Sequence, residues 1–145
     1  MIRIRVEVDL EATEKRIEEK LIALNQAVHQ AAFMLVNGIK QDIAAYPSVD
    51  TGTFLNSIKA DISKDYQAIV YTDISYAVFL EHGTSPHFIK PVTKKALAWK
   101  GGGQWFFSKG HMVSGIKPRR HFERVSLQMK PQILEYIEAK VKAIE

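Results

Sequence analysis

The chain has 145 residues, 46% of them hydrophobic and 25% charged, with a formal net charge of +4. That is enough chain to bury a core as one domain, and the absence of cysteine excludes a disulfide scaffold, a thiolate metal site and a cysteine nucleophile. The opening residues carry charges throughout and lack the apolar run of a signal peptide, and the most apolar helical run is too short and polar to cross a bilayer, so a soluble intracellular protein without a membrane partner is expected.

"IRIRVEVD" (2–9) alternates strictly, with Ile2, Ile4, Val6 and Val8 on one side, and predicts a half-buried strand. Asp9 is placed to cap a helix that starts just after it. That helix is long. Apolar residues recur in steps of three and four at Ile17, Leu21, Leu24, Val28, Ala31, Leu35, Ile39 and Ile43. His29 flanks the stripe, where a packed position suits it better than a ligand role. Gly38 weakens the helix locally, and Pro47 is expected to end it.

"YPSVDTG" turns the chain, with Asp50, Thr51 and Gly52 fitting a tight turn in which Asp accepts from the backbone and Gly supplies a positive φ. "TFLNSI" reads as a short turn, and "IKADIS" with "YQAIVYTD" as a β-hairpin that lacks an Asn–Gly signal. Tyr76 to Glu81 predicts one or two helical turns closed by Gly83. "ALAW" and "QWFFS" predict paired strands across Gly101–Gly103, with residues 100–117 a flexible loop or hairpin. A phosphate loop would need a helix straight after the glycines, and a strand-like run follows instead. Phe122, Val125, Met129, Ile133, Ile137, Val141 and Ile144 form a second helical stripe, with Pro131 expected to kink or split the helix near Lys130. These elements predict a single α+β domain over residues 1–145: a long N-terminal helix and a C-terminal helix packed on a mostly antiparallel β-sheet.

No catalytic motif emerges. There is no G-x-S-x-G elbow, and His82 and His87, five apart on a loop, match neither a zincin helix nor a finger's histidine pair. Glu81 and His82 are adjacent and point apart. No catalytic residue, metal ligand or cofactor-binding residue is therefore expected. The basic residues read as a solvated face, denser from Lys90 to Lys100 and at Arg119–Arg120. Trp99, Trp105, Phe106 and Phe107 among lysines suit stacking on single-stranded nucleic acid, although aromatics in strands more often fill a core. A small basic nucleic-acid-binding module is the alternative function.

Four segments in order, "PSVDTGTFLNSI", "YAVFLEHGTSPHFIKP", "KKALAWKGGG" and "GIKPRRHF", resemble the tail-component family of long-tailed bacteriophages and prophages, the small head–tail joining or tail-completion proteins. The resemblance spans about residues 10–140. His82 stands where the family often has an aromatic, Val113–Ser114 where it often has His–Pro, and His121 where a Pro is expected. The resemblance implies a virion assembly protein acting by ring formation and docking, made in the bacterial host cytoplasm and placed at the neck or tail. Implied partners are further copies of the chain, in a ring that is often six-fold although the free protein stays monomeric, head-closure or connector proteins, and tail-tube or tail-terminator proteins. DNA passing through the ring is a further contact. Tyr76, Ala77 and Leu80 are expected to pack inward, and Glu81, His82, Thr84, Lys94, Lys95, Arg119 and Arg120 to form the candidate interface.

Overall fold

The computed structural model describes residues 9–46 and 52–144. The strand expected at 2–9 lies outside them except for Asp9, and Pro47, Asp50 and Thr51 lie outside them altogether. The described chain falls into two compact units, Met1–Ile74 with His121–Glu145, and Ser75–Arg120.

The first unit is built on α1 (Leu10–Ala44). Asp9 caps it as its sequence position implies: the carboxylate accepts from the Ala12 amide at 3.0 Å. The buried face comprises Ala27, Ala31, Ala32, Val36, Ile39 and Ile43. The predicted stripe therefore holds from the middle of the helix onward. Its first turns are open, with Leu10, Ile17, Leu21 and Ile22 between 43% and 70% exposed.

The principal partner of α1 is α4 (His121–Lys142). The two run antiparallel: Gly38 faces Val125 and Met129, while Ala23 and Ala27 share a groove with Tyr136, Lys140 and Ile144. A Cβ on Gly38 would sit 2.4 Å from Met129 Sδ, so the missing side chain sets how closely the helices approach. The stripe from Phe122 to Ile144 is the less exposed side of α4 throughout. Contrary to a split at Pro131, the helix is continuous through it. Pro131 leaves the Leu127 carbonyl without its helical donor, and at this surface position, with Leu127 66% exposed, water can supply the bond.

α2 (Thr53–Ser57), β1 (Lys59–Asp61) and β2 (Ile69–Tyr71) follow α1 in the chain and pack against it. Gly52, at φ +65, starts α2, and Ser57 is buried with its hydroxyl bonded to Phe54 O and Thr72 Oγ1. The strands pair antiparallel in the register Lys59↔Tyr71. Their connection has no glycine. Instead Tyr66 adopts φ +58 and its amide donates to Asn25 Oδ1 at 2.7 Å, so α1 holds the turn.

The second unit holds α3 (Ala77–His82) and four strands: β3 (His87–Ile89), β4 (Leu97–Gly101), β5 (Gln104–Ser108) and β6 (His111–Val113). β4 and β5 form the hairpin expected from the glycines. Gly101 pairs with Gln104, and Gly102 and Gly103 both have positive φ, the geometry of a two-residue primed turn. β3 pairs with β6 instead of with its chain neighbour. The α+β class and antiparallel pairing hold, but among the described residues the strands form three separate two-stranded ribbons, not one sheet.

Candidate functional site

"YAVFLEHGT" folds as a single device. The residues after Tyr76 make α3, and Gly83 closes it at φ +75 with its amide donating to Phe79 O at 2.9 Å. A Cβ there would lie 2.5 Å from Ile116 O. Thr84 and Ile116 then exchange backbone hydrogen bonds at 2.9 and 3.3 Å, and Thr84 Oγ1 also accepts from the Ile116 amide. Opposite Gly83 stands Gly115, where a Cβ would meet Thr84 O at 2.1 Å. The amides of Arg119 and Arg120 donate to Leu80 O and Glu81 O at 2.9 and 3.3 Å. Two segments more than thirty residues apart are thus zipped together, because glycine on each side lets the backbones touch.

This zipper brings Glu81, Thr84, Arg119 and Arg120 to one place. Glu81, Thr84 and Arg119 are half-buried, while His82 and Arg120 are exposed. Lys94 and Lys95 are exposed ahead of β4. Ala77 is buried and Leu80 half-buried, but Tyr76, expected inward, is 42% exposed. It is the N-cap residue of α3, ahead of the helix proper. Beside the zipper lies an open apolar groove of about 640 Å³ lined by Phe79, Ile89, Val113 and Ile116, with Thr84 and His87 at its polar margin. His87 Nδ1 donates to Ser85 O at 3.0 Å, so that nitrogen is already engaged. Among the described residues no group of three or more His, Asp or Glu is placed to hold a metal ion, and no helix is long and apolar enough to cross a membrane.

The aromatic residues of the hairpin overturn the reading of a core. Trp99, Trp105, Phe106 and Phe107 are 43%, 63%, 44% and 69% exposed. Trp99 stacks on Phe106 across the strands, with ring centres 5.7 Å apart, and tilts against His111. Trp105 and Phe107 lie on the other face. A two-stranded ribbon has no second layer of its own, so strand periodicity could not decide which face, if either, is covered.

Sequence reasoning passed over a further cluster in the first unit. His121, only 1% exposed, donates from Nδ1 to Asp42 at 2.6 Å, and Arg124 bonds the same carboxylate oxygen. An ionised carboxylate only accepts, which assigns the proton to Nδ1. Tyr46 meets the imidazole edge-on at 4.9 Å and Phe54 tilts towards it at 6.0 Å. His121 Nε2 has no hydrogen-bond partner among the described residues. Burial pushes the Asp42 pKa up, but the hydrogen bonds from Arg124 and His121 outweigh that and hold it below the usual carboxyl value. The spacing of Asp42 from His121 left no local signal. This cluster ties α1 to the start of α4.

The class defined by this arrangement is a small α+β protein that presents surfaces: a zippered loop, an apolar groove and an aromatic hairpin. Residues 9–83 match the family model HK97-gp10_like, described as "Bacteriophage HK97-gp10, putative tail-component", and the chain belongs to that family. The match runs from the cap of α1 to the glycine that closes α3. No curated protein and no solved structure matches the chain significantly.

Proposed function

We propose that the protein is a structural component of the phage head–tail junction, acting by docking and ring formation rather than by catalysis. The observation that carries this reading is the family match over residues 9–83. The exposed surfaces support it. A closed ring of identical copies needs two different, complementary patches on each copy. One is the open start of α1, where Leu10, Ile17 and Leu21 lie beside Glu11, Glu14, Glu18 and Glu19. The other is basic and comprises Lys94, Lys95, Lys100, Arg119 and Arg120. Opposite charge across such a contact sets orientation and association rate more than affinity. The free protein is then a monomer in the host cytoplasm. The ring, six-fold to match a tail, forms on a preassembled connector or tail-tube partner and ends in the virion neck.

The test is complementation of a phage lacking this gene with Arg119→Glu/Arg120→Glu. Both substitutions keep the backbone amides that bond α3, so the purified variant should retain its helical signal. Electron microscopy should then show separate heads and tails. Normal yields of joined, infectious particles would refute this assignment of the patch.

A further inference from the structure

Charge is not distributed evenly between the two units. No Asp or Glu occurs between Glu81 and Glu123. Ser75–Arg120 therefore carries eight Lys and Arg against Glu81 alone, a net of +7, which leaves −3 for the remainder of a chain whose total is +4. The same unit holds the exposed aromatic hairpin. Directly opposed residues of an antiparallel pair share a face, and so do residues two apart on one strand. Trp105 and Phe107 therefore share a face with Lys100 and Ala98. The two rings stand about 7 Å apart along the strand. They are 63% and 69% exposed, with Lys100 across the ribbon from Trp105. Lys94 and Lys95 enter the open end of the hairpin and Lys109 leaves it; these three and Lys100 are exposed, and none of the four forms an ion pair among the described residues.

We propose that the Trp105–Phe107 face of the β4–β5 hairpin is a binding platform for single-stranded nucleic acid. Bases stack on the two rings, while Lys94, Lys95, Lys100 and Lys109 meet the phosphates. Stacking on open rings is indifferent to base identity, and lysines without acidic neighbours attract a polyanion without internal competition. A duplex keeps its bases stacked on one another and offers these rings nothing. A bilayer would require the leading end of the hairpin to be apolar. That end is Lys100–Gln104, with a cation, an amide side chain and the open backbone of Gly102 and Gly103. The proposal stands apart from the junction role, and either can fail without the other.

The experiment titrates full-length protein into a labelled oligothymidine of about 16 nucleotides, long enough for one site, and follows anisotropy across a salt series. Trp105→Ala/Phe107→Ala should weaken binding by at least about tenfold, since loss of one stacked base alone costs that order, with the salt dependence unchanged. Lys94→Glu/Lys95→Glu should weaken binding and flatten the salt dependence. Trp105→Phe keeps a ring and should bind as the parent does. In a Trp99→Phe background Trp105 is the only tryptophan, and the oligonucleotide should quench its fluorescence. The exposed positions of these rings leave folding unaffected, which circular dichroism checks. Equal affinity for the parent and the double alanine variant would overturn the proposal. So would duplex DNA binding as tightly as the single strand, or phosphatidylserine vesicles capturing the protein while the oligonucleotide does not.

Discussion

Asp42, near the end of α1, and His121, the first residue of α4, meet through a 2.6 Å hydrogen bond, with Arg124 on the same carboxylate oxygen. The two long helices are thereby locked at one end by a polar contact and along their length by apolar ones. Asp42→Ala should leave a buried imidazole N–H without an acceptor. A destabilisation of about 1–3 kcal/mol, the ordinary cost of such an orphan, is expected in chemical denaturation at neutral pH.

The same contact gives a pH dependence. The folded-state pKa of Asp42 lies below the unperturbed 3.8. Its contribution is therefore fully present above that value and is lost as pH falls through the folded-state pKa. Denaturation midpoints measured from pH 5 down to pH 2 should fall less steeply for Asp42→Asn than for the parent. Parallel curves would show that Asp42 does not carry this dependence.

Gly38 and Met129 should be energetically coupled. Gly38→Ala gains about 1 kcal/mol of helix propensity, but its Cβ would lie 2.4 Å from Met129 Sδ and 3.1 Å from Val125 Cγ1. Alone it should lower the melting temperature. Combined with Met129→Ala, which clears the nearer contact, Gly38→Ala should become neutral or stabilising. A double-mutant cycle with no coupling would contradict the packing described for α1 and α4.

Two glycines with positive φ should respond differently. Gly115→Ala places a Cβ 2.1 Å from Thr84 O, whereas Gly102→Ala meets nothing within 4 Å. The second should cost only the backbone strain, about 1 kcal/mol. The first should also break the zipper, and amide exchange at Thr84 and Ile116 should rise sharply in Gly115→Ala alone.

Ile17 and Ile39 belong to the same stripe in sequence, yet Ile17 is 54% exposed and Ile39 1%. Ile39→Ala should destabilise by about 2–5 kcal/mol. Ile17→Ser should remain within about 0.5 kcal/mol of the parent in the isolated protein. A large loss from Ile17→Ser would mean that the start of α1 is covered in solution.

What the sequence by itself determined is what near neighbours in the chain decide. Asp9 caps α1, the three-and-four spacing of apolar residues marks the inner side of α4, Gly83 closes α3, and Gly102–Gly103 turn the β4–β5 hairpin. Each depends on backbone preference or side-chain periodicity within a few residues. The tertiary structure alone decided the rest. Tyr66 turns without glycine because Asn25, forty-one residues away, receives its amide. His121 is buried because Asp42, seventy-nine residues away, stands opposite it. β3 passes over its neighbours to pair with β6, and Trp105 and Phe107 remain outside because no described layer covers their ribbon. Periodicity tells which residues share a face; only the surface brought against that face decides whether it becomes core or stays open for a partner.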